Sequence, residues 1–457
     1  MNKLRLAAAF MFCFTLQPAT TLWAQGIPPY PNAITDRVVR QETPLAPPPA
    51  NVVFNDPDFG SQMVRATDDT TDFKKPGSFL RNPAVGETNP WSVDDSKFYV
   101  ISEGGVDFAF AFDPSTMFIS SLPGATTGKG LPLPLRPGAT FSSVDPDLIY
   151  GTITKTPLTI SSYRFSNGAL SSVVDTTLCQ TQPPLDPTNP KVLSDDDVTV
   201  SAGDARIAIS EGGPQFDLDM FVVVYDQSLG CRWYNTQTGQ IGGQWGATGN
   251  ATASGFLIEH AYLAGSGTYV KINVPKFGFY VWDLATLSVI PCPNHAGLAC
   301  GQYGITGNNS FVNQAGSVDE MNLLRRPLSD LAETTELVSP LPTPHTFGQI
   351  WHFTWMNSLQ NDNAPVCGTL YNNVGSWTVT RPFDSEIACV ETDGAATTVW
   401  RFAHHRAFWI SPFFNTQPLG NVSPDGHFLM FTSAWDAQLG NDPQGNPRSD
   451  VWIVNLN

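Results

Sequence analysis

The stretch that decides the fold is Asn421-Val-Ser-Pro-Asp-Gly-His-Phe-Leu-Met-Phe-Thr-Ser433, followed after a Gly/Asn/Asp/Pro-rich gap by Ser449-Asp-Val-Trp-Ile-Val-Asn-Leu456. Ser423-Pro-Asp-Gly426 reads as a tight turn, because Pro presets one backbone angle and Gly accepts a left-handed one. The apolar run after it reads as a strand, and Asp450 to Leu456 as its partner. Variants of the unit recur upstream at Ser92–Ser102, Ser143–Gly151, Ser201–Ser210 and Ala264–Ile272. Ile101-Ser-Glu-Gly-Gly105 and Ile209-Ser-Glu-Gly-Gly213 are identical and fall at the same place in two units. The chain is therefore a repeat protein.

A second strand follows most turn-strands: Asp107–Phe112, Met220–Tyr225, Phe277–Trp282 and Met321–Leu324. Repeat spacings of about 50 to 60 residues suit four-stranded propeller blades with long loops. Two further blades fit between the fourth turn and the last. One spans Tyr303 to Val338, with Phe311–Gln314 as a strand. The other spans Ile350 to Phe402, with Pro365–Leu370 and Glu386–Val390 as strands. The expectation is an all-β, seven-bladed β-propeller. Its last unit is one strand short at Asn457, and the isolated strand Gln62–Thr67 is the piece that would close the ring. The one short helical candidate is Leu328–Glu336.

Lys3, Arg5 and the apolar run Leu6–Leu16 before Leu22-Trp-Ala24 have the form of a secretory signal peptide over residues 1–24. Residues 25–53, rich in Pro, read as an extended and poorly packed leader, and residues 54–457 as a single propeller domain. No later run reaches transmembrane length, so no transmembrane segment is expected and the mature chain should be secreted or periplasmic. The formal charge of −17 disfavours nucleic acid and anionic membranes as partners. Charged residues make up only 14% against 38 Gly and 38 Pro, which suits short strands and turns rather than long helices. Cys13 lies in the signal peptide, and the six remaining cysteines favour disulfides in an oxidising compartment. Proximity in sequence suggests Cys292–Cys300 and Cys367–Cys389, leaving Cys179–Cys231.

The Ser-Pro-Asp-Gly turn, the Phe-Leu-Met-Phe-Thr-Ser strand and the closing Asp-Val-Trp-Ile-Val strand resemble WD40-like (TolB-type) β-propeller repeats. The last blade is most similar to the final blade of oligogalacturonate-lyase-type seven-bladed propellers. The resemblance implies a polysaccharide lyase with a metal at the axis. That family carries a His just before this turn as a metal ligand, and here Gln417–Val422 contains none. Gln349-x-x-His352 is present upstream, but position 354 is Thr rather than a further His. The resemblance thus speaks for the fold more than for the activity.

In a propeller, the loops into the innermost strands and those between second and third strands share one face. Glu103, Glu211 and Trp435 leave second strands toward that face, and His260, His352, His404 and His405 precede or start innermost strands. Carboxylates, imidazoles and aromatic walls suit a carbohydrate or peptide ligand. The competing reading makes the acids turn-fixing groups, the histidines core residues and the runs Trp351–Trp355 and Phe408–Phe414 inter-blade packing. The histidines are the groups that would hold Zn²⁺ or Mn²⁺, and Asp195–Asp197 with Asp217 and Asp219 offer oxygen ligands for Ca²⁺. Two functions follow. The first is a binding or scaffold propeller, expected to be monomeric, for a glycan or extracellular protein. The alternative is a polysaccharide lyase or hydrolase with a metal or carboxylate site at the axis.

Overall fold

The computed structural model describes residues 30–72, 74–83, 87–122, 130–131, 138–153, 159–175, 198–212, 218–275, 278–292, 304–315, 322–338, 350–371, 379, 381–393, 398–407 and 416–457. Seven antiparallel sheets form the seven blades of a propeller. From inner strand outward, the first blade holds Leu80–Arg81, Lys97–Ser102, Asp107–Asp113 and Phe118–Ser121. The second holds Thr140–Phe141, Leu148–Ile153, Thr159–Arg164 and Ala169–Asp175. The third runs Thr199–Val200, Arg206–Glu211, Phe221–Asp226 and Gly230–Asn235, and adds Gln240–Gly243 and Gly249–Asn250 at its outer edge. The fourth blade starts at His260–Leu263, the fifth at Ile305–Thr306 and the sixth at Ile350–Thr354. The seventh contains Gly420–Val422, Phe428–Ser433 and Asp450–Asn455.

The expected closure is present. Gln62–Arg65 pairs antiparallel with Asp450–Asn455, in the register Met63↔Val454, Val64↔Ile453 and Arg65↔Trp452. Arg65 Nε also donates to Asp450 Oδ2 at 3.0 Å. Val53–Asn55 adds a fifth strand outside it, with Val53 opposite Val64. The last blade shows why its strands are apolar on both sides: each blade is buried between two others. Phe428, Met430, Val451 and Ile453 pack with Trp91, Phe98 and Phe112 of the first blade. The alternate residues Leu429, Phe431, Trp452 and Val454 pack with Cys367, Ile387 and Phe402 of the sixth. Each large side chain so buried contributes about 1.5–3 kcal/mol by leaving water.

The repeated turns interlock where blades meet. In four of the five turns the fourth residue has positive φ: 58° at Asp95, 53° at Asp204, 70° at Gly267 and 80° at Gly426; in the Ser143 turn it is Pro146. Only Gly, or a short polar residue such as Asp, adopts that backbone readily. Asp204 turns back onto the preceding blade. It accepts hydrogen bonds from the Ser143 backbone N–H (2.7 Å), the Ser143 hydroxyl (2.7 Å) and the Tyr150 hydroxyl (3.0 Å).

One expectation is corrected and another refined. Leu328–Glu336 is not a helix: turns at 328–332 bury Leu328 and Leu331 against Phe311, and Thr335–Val338 is the outer strand of the fifth blade. Completing that sheet outweighs the local helical preference. The Pro-rich leader is largely exposed, with Tyr30 its one buried residue among those described, but it is anchored at several points. Tyr30 is buried and donates its hydroxyl hydrogen to Gly426 O at 3.0 Å, with its ring 5.3 Å from Trp400 and 5.1 Å from Phe402. Ile34 bridges Arg401, Thr43 bonds Asp58, and Leu45 O accepts from Trp435 Nε1 at 2.8 Å. The segment covers the otherwise open edges of the sixth and seventh blades.

Candidate functional site at the propeller axis

The axial cavity is lined by Glu87, Asn89, Thr140, Thr199, Val200, Tyr262, Leu263, Thr306, Met356 and Leu359, drawn from six blades. Its free space admits about one or two water-sized groups before it opens to solvent. Thr140, Thr199 and Thr306 are inner-strand residues, so their placement follows from the ring itself. Glu87 comes from the loop between the first two strands of the first blade and reaches the axis beside the fourth and fifth.

Glu87 is held by one oxygen. Oε1 accepts from Lys271 Nζ at 2.6 Å, from Thr306 N at 3.0 Å and from the Thr306 hydroxyl at 3.1 Å. Oε2 is buried and has no hydrogen-bond partner. Burial raises the Glu87 pKa, against the lowering effect of Lys271 and Thr306. Lys271 lies in the second strand of the fourth blade opposite Tyr262. Its Nζ also donates to Gly304 O and sits 5.4 Å from the centre of the Tyr262 ring. Asn89 is equally half-used: its Oδ1 accepts from Trp91 N at 3.2 Å, which leaves Nδ2 buried without a hydrogen-bond partner. An incompletely paired polar group inside a protein is costly, so two of them at one cavity mark a place suited to a ligand or to water.

The residues singled out from sequence lie elsewhere. Glu103 directly follows Lys97–Ser102, is partly buried, and bonds Phe79 O through its backbone. Glu211 is buried at the end of its strand, opposite Phe221. His260 starts the inner strand of the fourth blade and stacks 5.8 Å from Tyr262, which places it next to a cavity wall. His352 sits within the inner strand of the sixth blade. Burial lowers its pKa to about 4, against a hydrogen bond with Gln417. His405 is fully buried, with Nε2–H donating to Leu370 O at 2.8 Å and Nδ1 accepting from Ala407 N at 3.0 Å. Both of its nitrogens are thus occupied, and burial pushes its pKa down to about 3. Trp435 is fully buried as well. It stacks 3.9 Å from Trp452 under the leader rather than lining a funnel.

Among the described residues, one group of His, Cys, Asp and Glu is close enough to hold a metal: Asp56, Asp58 and His404, with ligand atoms within 4.8 Å. It lies under the leader, away from the axis, and both of its carboxylates are engaged, while His404 Nε2 is buried without a hydrogen-bond partner. Asp56 accepts from the backbone of Asp58, Phe59 and His404. Asp58 accepts from Thr43 and lies 3.1 Å from His404 Nδ1. Arg406 stands 4.0 Å from Asp58, a poor neighbour for a second cation. Burial, the largest influence, lowers the His404 pKa to about 4, so the imidazole is neutral. Asp219 pairs with Ile258 through its backbone, while Asp195–Asp197, Asp217 and Phe408–Phe414 lie outside the described residues.

Cys367–Cys389 is bonded, as expected. Cys231 and Cys292 are disulfide-bonded too, and their expected pairings with Cys179 and Cys300 lie outside the described residues. No helix among the described residues is long and apolar enough to cross a membrane.

No protein-family profile matches the chain, and no curated protein matches it by sequence. Its fold is that of oligogalacturonate lyases. The lyase of Vibrio parahaemolyticus superposes at TM-score 0.52 and 11% identity, over 93% of this chain and 98% of that one. An oligogalacturonate lyase in complex with manganese superposes at 0.53 and 12% identity, with the same coverage. The Neurospora crassa Pan2 WD40 domain aligns over 81% of this chain at 0.42 and 11% identity. At such identities the likeness to the two lyases is one of fold.

Proposed function

We propose that this chain is a secreted or periplasmic binding propeller that engages a glycan at its axial cavity. The observation that carries the reading is the half-satisfied Glu87, with Oε1 fixed by Lys271 and Thr306 and Oε2 buried without a partner at a cavity shared by six blades. Such a preformed acceptor, set among threonine hydroxyls, suits a ligand rich in hydroxyl donors. Four disulfide-bonded cysteines suit an oxidising compartment outside the cytoplasm. The test is a glycan array on the purified mature chain, followed by calorimetric titration of the hits. Retention of glycans by the native chain, weakened about tenfold or more by Glu87→Gln, is the expected result. Absence of any glycan binding removes the proposal.

One observation favours the alternative of a lyase or hydrolase. A carboxylate and a lysine meet at the axis, the kind of groups through which a proton passes to or from a substrate. Metal analysis and an assay on polyuronates and neutral polysaccharides separate the two. Turnover abolished by Glu87→Gln would establish the enzyme.

A further inference from the structure

Resting on the reading of the axis as a glycan site, we infer that the cavity accepts one hydroxymethyl group of a neutral sugar and rejects a uronate carboxylate. Two buried atoms carry the inference. Glu87 Oε2 is an acceptor without a donor, and Asn89 Nδ2 is a donor without an acceptor. The orientation of the amide is fixed, because Asn89 Oδ1 is taken by the Trp91 backbone N–H. Both residues are more than nine-tenths buried, at 8% and 3% exposure, and both line the cavity.

A hydroxyl is the group that meets both needs, since it donates one hydrogen and accepts through its lone pairs. It would donate to Glu87 Oε2 and accept from Asn89 Nδ2. A carboxylate accepts only. It would satisfy Asn89, leave Glu87 unpaired, and set a second negative charge beside the first. An ammonium donates only. It would leave Asn89 unpaired and bring a second cation next to Lys271, which already neutralises Glu87 at 2.6 Å. The free space admits about one or two water-sized groups, so no sugar ring enters, but a CH₂OH tip does. Val200, Leu263 and Met356 give its methylene an apolar wall. At longer range the formal charge of −17 repels polyuronates in the same sense.

The experiment titrates the mature chain with neutral hexose oligosaccharides, their 6-deoxy counterparts, and oligouronates of equal length. The expected order is hexose tightest, with the 6-deoxy sugars and the uronates each weaker by about tenfold or more. Asn89→Asp, which keeps the acceptor for Trp91 N, should weaken the hexose by a similar factor. If that variant fails to fold, the ligand-side comparison decides alone. Uronates binding as tightly as hexoses overturn the inference while leaving glycan binding intact. Equal affinity for the 6-deoxy sugars also overturns it, and assigns the cavity to water only. Silence toward every glycan removes the broader reading and this one with it.

Discussion

The axis and the leader clasp are both built on buried ion pairs, yet they are finished differently. Under the leader, Arg401 donates to both Glu386 oxygens at 2.7 and 2.6 Å, and also to Asp36 O and Val38 O. Arg406 likewise donates to Glu42 at 3.2 Å and to Thr43 O at 2.8 Å. At the axis, Glu87 uses one oxygen and Asn89 one end of its amide. The Glu386–Arg401 pair, with both carboxylate oxygens bonded, holds structure, although Arg406 Nε beside it is buried without a hydrogen-bond partner. A cluster with matched donor and acceptor left over is arranged for something that arrives later.

The contrast can be broken most forcefully at the clasp. Glu386→Ala strands the Arg401 guanidinium in the interior and should cost about 3–5 kcal/mol, measured by urea denaturation. A loss below about 1 kcal/mol would mean that the clasp is not structural. Next is Tyr30→Ala, which empties a pocket between Trp400 and Phe402 and removes the bond to Gly426 O. The expected loss is about 3 kcal/mol, together with faster proteolytic cleavage of the leader.

A subtler test compares two turn junctions. Asp204 meets hydroxyls of the neighbouring turn, whereas Asp95 meets another carboxyl, Asp425. Burial first, then the Asp425 charge, raises the Asp95 pKa well above its usual value. Asp425 is raised by burial, but hydrogen bonds from His427 and Asp95 overcome this and hold it below the usual range. Because Asp95 keeps its proton longer in the folded state, its contribution is complete below the unfolded carboxylate range. It is lost as pH rises through the folded value. Asp95→Asn, which also suits the positive φ of 58°, should therefore be more stable than the native chain at pH 7. The gap should close toward pH 4; a gap independent of pH would reject the shared proton.

The smallest effect is expected at His427, whose Nδ1 lies 2.7 Å from Asp425 Oδ2 in a partly exposed pair. The hydrogen bond with Asp425 raises the His427 pKa, so the stabilisation is present below the unfolded value near 6.5 and fades as pH rises above it. His427→Ala should cost about 0.5 kcal/mol at pH 5.5 and less at pH 8.5, read from thermal melts.

Much of the fold was legible because a propeller writes itself locally. Turn, strand and strand repeat within about 50 residues, and inner faces on both sides force continuous apolar runs such as Phe428–Ser433. The leader's anchoring was not legible because the anchors, Tyr30, Asp36 and Glu42, are scattered singly among prolines and meet partners more than 350 residues away. The residues chosen from sequence for the site depend on distant contacts in the same way. Trp435 follows a second strand, as strand order predicts, but His405 follows the outer strand of the sixth blade instead of starting an inner one, and both side chains turn into packing and backbone hydrogen bonds.

The sequence alone determined seven blades, their turns, the Cys367–Cys389 bridge and the strand Gln62–Arg65 that closes the ring. Each of these is a local pattern, or a gap in one, that a single missing partner can fill. Only the tertiary structure decided the site. Glu87 and Asn89 sit in a loop without a motif, and Lys271 and Thr306 are 184 and 219 residues further along the chain from Glu87. No periodicity records that meeting, because closure of the ring, rather than any local preference, brings six blades to one cavity.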